Sequence, residues 1–344
     1  MNFQNIHDSP LIPDDKKDAV ASALRESFGV SVVDEIRTLT GGLSGALVFR
    51  IVVSGRPYLL RVIVKTGGAV GPGQGDQTNH FACMKHAAEA GIGPRVWYAS
   101  ADDGVSITDL IEAQPFPRTE ALAVLPLTLQ RLHALPPFPA PKAVNYLDAM
   151  DRMARKFLAF GILPERETAE LLDLYTRVAA VYPRDDSEKV PSHNDLRPEN
   201  ILFDGARVWL VDWEAAFSND RYLDLAVVAN FVVTNDAEEA AYLRTYFGED
   251  ASEYRRARLY LMRQLLHVFY PAFLFLYGGK RESIDSITPT PDFHDFHARI
   301  RAGEVDLADD DAKMEYAKAH MNELLQNGRT ARFQEALRIV SAGA

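Results

Sequence analysis

The chain has 344 residues, 47% apolar and 25% charged, the balance of an ordinary globular protein long enough for two lobes with separate cores. Its 37 basic against 48 acidic residues leave a formal net charge of −11, which argues against a nucleic-acid partner or attraction to an anionic membrane and suits a small cationic ligand. Cys83 is the sole cysteine, so an intrachain disulfide and a cysteine-based zinc site are excluded, and a reducing cytoplasm is the expected compartment.

Residues 1–11 lack the basic start and apolar core of a signal peptide. Residues 16–28, preceded by Pro13-Asp14-Asp15, put Val20, Leu24 and Phe28 on one face of a helix that Gly29 ends. A strand at Ile36-Arg37-Thr38-Leu39, a turn at Thr40-Gly41-Gly42-Leu43-Ser44-Gly45 and a strand from Ala46 follow. The missing side chains of such a turn let backbone N–H groups approach phosphate oxygens, and a plain hairpin turn has the same look. In a third strand over 58–65, Arg61 and Lys65 point to the same side. Residues 66–79 form a glycine-rich loop without the Gly-Lys-Ser/Thr of a Walker A loop. A helix over 79–90 then turns Phe81, Met84 and Ala88 inward and stops at Gly91. Strands at Val96-Trp97-Tyr98-Ala99 and over 105–112 flank the turn Asp102-Asp103-Gly104. After Ile111 the pattern turns helical, which divides the chain into an N-terminal lobe, 1–112, and a C-terminal lobe, 113–344.

The second lobe opens with a helix over 118–135 that ends at Leu132-His133-Ala134-Leu135-Pro136-Pro137. Two amphipathic stripes follow, Tyr146, Leu147, Met150, Met153 and Phe157, then Leu171, Leu174, Tyr175, Val178 and Tyr182. The densest chemistry comes next. His193-Asn194-Asp195 is followed after four residues by Asn200, then by the apolar run 201–203, the turn pair Asp204-Gly205, a second apolar run and Asp212-Trp213-Glu214. Two short strands joined by an Asp-Gly turn make a hairpin, so Asp212 is expected to return beside Asp195 and Asn200. Two carboxylates and an amide oxygen suit a nucleotide-bound magnesium, which takes few hard oxygen donors and leaves its other positions to phosphate and water. The same His-x-Asp-x(4)-Asn spacing is that of a kinase catalytic loop, in which the Asp accepts the proton of the attacking hydroxyl. Glu214, two residues beyond Asp212 on an extended segment, would share its side and serve a second metal or the substrate, while Trp213 packs the other way.

Residues 254–277 gather Tyr260, His267, Phe269, Tyr270, Phe273, Phe275 and Tyr277 on a helix bent at Pro271. Most of these rings are core, with one or two expected to line a pocket for an amine. The apolar run 265–277 is expected to be too short to span a bilayer. Asp292-Phe293-His294-Asp295-Phe296-His297 reads as a hydrophilic loop rather than a metal cluster, and helices over 309–326 and 330–340 close the fold.

His193-Asn194-Asp195 through Asn200, with Val211-Asp212-Trp213-Glu214 and Asn219-Asp220-Arg221-Tyr222-Leu223-Asp224-Leu225-Ala226, resembles the choline/ethanolamine kinase and aminoglycoside phosphotransferase superfamily. The choline kinase branch looks nearest, through the His-Asn-Asp opening and the Asp-Trp-Glu followed by Asn-Asp-Arg. The resemblance implies an α+β, protein-kinase-like bilobal fold with a small antiparallel sheet in the first lobe and a mainly helical second lobe. It implies ATP and Mg2+ as cofactors, Asp195 as the catalytic residue and Asn200, Asp212 and Glu214 as metal ligands. Gly42, Ser44, Gly45 and Arg61 would hold phosphates, the backbone at Leu110 and Ile111 would read adenine, and Asp224 would brace the catalytic loop or simply cap a helix. One departure stands out. The acidic partner of the Arg61 cation belongs early in the helix after the loop, where Asn79 or His80 stands; either Glu89 or Asp76 replaces it or the pair is absent. The implied reaction moves the γ-phosphate of ATP to a hydroxyl of a choline- or ethanolamine-like amino alcohol. The alternatives are an aminoglycoside-type O-phosphotransferase and a nucleotide-binding pseudokinase that senses a metabolite. A protein kinase fits less well, because no Asp-Phe-Gly or Ala-Pro-Glu brackets an activation loop.

Overall fold

The structure, a computed structural model, describes residues 4–39, 46–64, 77–138, 146–185, 188–277, 284–307 and 309–343. The expectations for Gly42, Ser44, Gly45, Lys65 and Asp76 lie outside the described residues. The chain forms two compact units, Met1–Gln114 with Asn200–Ala216 and Pro115–Glu199 with Phe217–Ala344. The sequence division placed the whole of 113–344 in one lobe, whereas segment 200–216 is part of the first unit.

In the first unit, helix α1, Lys17–Phe28, buries Val20, Ala21, Ala23 and Leu24 and ends at Gly29, whose φ of 72° lets its N–H bond the Arg25 carbonyl. The five-stranded antiparallel sheet comprises β1 Glu35–Thr38, β2 Ala46–Val53, β3 Arg56–Ile63, β4 Val96–Ser100 and β5 Val105–Asp109, in the order β1-β2-β3-β5-β4. Ser54 and Gly55, with φ of 51° and 77°, join β2 to β3 in the two-residue turn that matches strand twist. Alternate residues Phe49, Ile51 and Val53 on β2 and Tyr58, Leu60 and Val62 on β3 form one core with Val20 and Leu24 of α1. Arg61 is in the opposite phase, so it points away from that core. Helix α2, Gln77–Glu89, buries Phe81, Met84 and Ala87; Ala88, expected inward, is half-buried, and Ala87 takes the inward place.

The expected hairpin is present, with Ile201–Phe203 antiparallel to Val208–Leu210. Its turn differs from the Asp-Gly pair read from sequence. Phe203 pairs with Val208, so 204–207 is the connection, and the Asp204 carboxylate accepts the N–H groups of Ala206 and Arg207 (both 2.9 Å) and the Trp209 indole N–H (2.7 Å). The reversal therefore centres on Gly205, with φ of 92°, and Ala206. Backbone bonds from Leu210 to the Ile92 carbonyl and from Gln114 to the Phe203 carbonyl, each 2.7 Å, tie the hairpin into the first unit.

The second unit is helical: α3 Arg118–His133, α4 Tyr146–Ala159, α5 Glu165–Val181, α6 Arg221–Val232, α7 Asp236–Phe247, α8 Glu253–Tyr277, α9 Phe293–Arg301, α10 Asp310–Gly328 and α11 Ala331–Ala342. A two-stranded ladder pairs Lys189–Ser192 with Phe217–Asp220. α8 is the axis, packed by α4, α5, α6, α10 and α11. It runs 25 residues, and its segment Glu253–Leu276 is long and apolar enough to cross a membrane, but 72% of its most apolar window is buried inside this protein, as in a core helix. The stretch read as a hydrophilic loop at 292–297 is instead the start of α9. Asp292 caps it by accepting the N–H groups of His294 and Asp295, and Phe293, Phe296 and His297 turn inward.

Candidate active site

Within the first unit, β3 delivers Arg61 to the segment that follows the hairpin. Arg61 Nη1 donates to Asp212 Oδ1 at 3.0 Å and Nη2 donates to Glu214 Oε1. Asp212 and Glu214 thus pair with Arg61, and Glu89, one of the two acids the sequence offered, instead faces solvent beside His86, at 3.8 Å. Asn79, at the place where that acid was expected, donates from Nδ2 to the Ala216 carbonyl at 2.8 Å, so α2 holds the same segment through its backbone. The hairpin closes on Asn200, since the Val211 N–H bonds the Asn200 carbonyl at 3.0 Å and delivers residue 212 next to it. Glu214 does not lie on an extended segment. Trp213–Ala215 is a single helical turn, and Trp213 is buried. Asp212 precedes it at φ 65° and ψ 68°, a left-handed conformation that costs a non-glycine residue about 1–3 kcal/mol. Leu110 and Ile111 follow β5 half-buried and without regular structure.

Asp212 and Glu214 offer hard carboxylate oxygens, and the buried Asn200 adds an amide oxygen on the same hairpin. Among the described residues no group of three or more His, Cys, Asp or Glu is suited to a metal, so an ion here would take part of its shell from phosphate and water. The Arg61 guanidinium lies between the two carboxylates and shows that the set accepts positive charge. The donor chemistry therefore fits magnesium.

In the second unit, the loop carrying Asp195 is pinned from behind. Asp224, fully buried on α6, accepts the N–H of His193 on Oδ2 at 2.9 Å and that of Asn194 on Oδ1 at 2.8 Å. His133 Nε2 lies 3.2 Å from Asp224 Oδ2, and His133 Nδ1 lies 2.6 Å from the Tyr246 hydroxyl. Asp224 braces the loop, and the cap of α6 is Asp220, which accepts the Tyr222 N–H. Asn194 has φ of 66°, one of three non-glycine residues with positive φ among those described, and Asp212 is another. Its side chain donates to the Phe217 carbonyl and accepts from Asn219 Nδ2. His193 is buried behind the loop.

The Asp195 side chain is 31% exposed and meets Arg197, which donates from Nε to Oδ1 at 2.9 Å and from Nη2 to Oδ2 at 3.3 Å. Burial opposes the Arg197 charge, but the Asp195 and Glu199 carboxylates hold its proton more firmly than usual. Tyr146 and Tyr270 are buried, and burial together with the Asp195 charge pushes both phenols above their ordinary range. Tyr146 packs against Phe217 and Phe269, with ring centroids 5.7 and 5.9 Å apart, and Tyr270 against Phe269 and Tyr316, at 5.8 and 6.4 Å. Sequence reasoning did not single out Arg197, Asn194 or Asn219. An Asn directly before Asp195 was the available signal, since Asn tolerates the left-handed region.

A hairpin-borne acidic pair clasping a strand arginine, and an Asp loop braced from a buried helix, define a kinase-like phosphotransferase class on an α+β fold. Residues 35–260 match the phosphotransferase enzyme family, APH, and the chain belongs to that family. Over 78 residues, 23% of this chain and 29% of the relative, it is 28% identical to protein LicA of Haemophilus influenzae. Among solved structures it is similar to a choline/ethanolamine kinase family protein from Mesorhizobium loti, with a TM-score of 0.63, 22% identity and coverage of 95% of this chain and 100% of the other. It is also similar to choline kinase LicA from Streptococcus pneumoniae, at 0.56 and 16% over 83% and 97%. A third is a spectinomycin phosphotransferase bound to ADP and spectinomycin, at 0.53 and 13% over 88% and 98%. At these identities the solved structures share the fold.

Proposed function

We propose that this chain is an ATP-dependent small-molecule kinase that transfers the γ-phosphate to a hydroxyl of an amino alcohol of the choline or ethanolamine kind. The observation that carries the reading is the positive charge clasped between Asp212 and Glu214 at the end of the hairpin. Asn200, Asp212 and Glu214 would hold magnesium, which when bound neutralises charge on the phosphates. Arg61 would grip phosphate oxygens with its planar fork, aided by Gly42, Ser44 and Gly45. The backbone at Leu110 and Ile111 would read the adenine edge. Asp195 would orient the acceptor hydroxyl and take its proton as the oxygen bonds to the γ-phosphorus and the β–γ bridging bond breaks, releasing ADP. The acceptor class is supported by the tyrosine rings near the Asp195 charge, which suit an ammonium group, and by the likeness to the choline/ethanolamine kinase family protein.

The test is ADP release from Mg·ATP against choline, ethanolamine, further amino alcohols and spectinomycin, with Asp195→Ala as control. Acceptor-dependent release with choline or ethanolamine, lost in the variant, is expected. Release with spectinomycin alone would reassign the substrate to the antibiotic class. Release that no acceptor stimulates, or that Asp195→Ala leaves intact, would overturn the kinase reading.

A further inference from the structure

We propose that Arg197 is a positioning residue, which holds the Asp195 carboxylate in the orientation that receives the acceptor hydroxyl. This rests on the reading of Asp195 as proton acceptor given above. Two parallel N–H bonds, Nε to Oδ1 and Nη2 to Oδ2, fix the carboxylate plane as a single-point donor cannot.

The two constraints on Asp195 are independent of each other. Asp224 sets the main chain ahead of it, through the N–H groups of His193 and Asn194, and Arg197 sets the side chain. The fork is itself kept in place by charge. Asp195 and Glu199 favour the guanidinium, and the Tyr316 phenol, deeply buried, lies in the field of Glu199, Arg197 and Asp195. Phosphoryl transfer gives a protein little covalent work and much positioning work, so a loosened carboxylate is felt in the rate.

The experiment compares wild type, Arg197→Ala and Arg197→Lys in the ADP-release assay with choline and ethanolamine, with circular dichroism as the check on folding. Arg197→Ala is expected to lose roughly 10²-fold in kcat, the penalty of a small misplacement, with KM for Mg·ATP within about twofold. Millimolar guanidinium, well below denaturing levels, is expected to restore part of kcat in that variant, and methylammonium at equal ionic strength less. Arg197→Lys keeps the charge but not the fork and is expected to remain well below wild type. A kcat near wild type in either variant, or a folded Arg197→Ala that guanidinium does not rescue, overturns the proposal. Where Arg197→Ala fails to fold, Arg197→Lys decides alone. An activity that needs Asp195 but not Arg197 sinks this inference only, whereas a wild type without acceptor-dependent release sinks it together with the kinase reading.

Discussion

Asp224 Oδ1 accepts the backbone N–H of Asn194 at 2.8 Å, at the residue whose φ of 66° turns the chain into Asp195. Its other oxygen takes the N–H of His193 at 2.9 Å, so both carboxylate oxygens face donors in a fully buried place. Asp224→Asn sets an amide N–H2 against a backbone N–H and leaves donors unmatched. It is expected to cost about 1–3 kcal/mol of stability and to lower kcat, as read by urea unfolding and ADP release. A variant with unchanged midpoint and rate would show that the brace is dispensable.

The left-handed backbone of Asp212 separates strain from chemistry. Asp212→Ala and Asp212→Gly both remove the carboxylate that Arg61 grips, but only glycine tolerates φ of 65° without a Cβ penalty. The glycine variant should be the more stable of the two by about 1 kcal/mol. Both should lack acceptor-dependent ADP release. Equal unfolding midpoints would mean the turn relaxes once the carboxylate is gone.

Arg61→Gln removes the charge between Asp212 and Glu214. The lost charge-assisted bonds to phosphate predict at least about a tenfold rise in the Kd for ADP, with Arg61→Lys intermediate because it keeps charge without the fork. Isothermal titration reads this directly. An unchanged Kd would remove Arg61 from the nucleotide site.

Acid should loosen the second unit. His267 and His320 lie with their Nδ1 atoms 3.0 Å apart, and His297 is buried nearby against Phe293. Burial keeps all three neutral, reinforced at His267 by Arg263, at His297 by Arg301 and at His320 by the other two histidines; His297 is pushed down to about 3 from the ordinary 6.5. Because the unfolded chain takes up these protons near 6.5 and the folded chain does not, stability is complete above that pH and falls as the pH drops toward 3. Each such histidine steepens the fall by about 1.4 kcal/mol per pH unit. His297→Phe should flatten the urea-midpoint slope between pH 6.5 and 4.5, and an unaltered slope would place the acid lability elsewhere.

The sequence carried the hairpin because two apolar runs and a turn are local patterns, and it carried the sheet because alternation at 49, 51 and 53 and at 58, 60 and 62 is local too. What escaped depends on side chains finding distant partners. Asp204 recentres the turn by accepting three N–H groups, and Glu214 reaches Arg61 from a helical turn where an extended segment was expected. The Asp212 and Glu214 partners of Arg61 lie 151 and 153 residues away from it, separations that periodicity does not encode. Arg197 sat in plain view two positions after Asp195, but its fork geometry exists only once the loop is folded.

Because Ile92 and Gln114 find backbone partners at Leu210 and Phe203, the first unit is completed by a segment that leaves the ribosome long after its sheet. Domain-by-domain folding from the N-terminus therefore leaves the first unit incomplete until residues 200–216 are made. A nascent polypeptide halted after residue 114 would leave the Ile92 carbonyl and the Gln114 amide to water and would exchange those bonds for protein ones when the later stretch arrives.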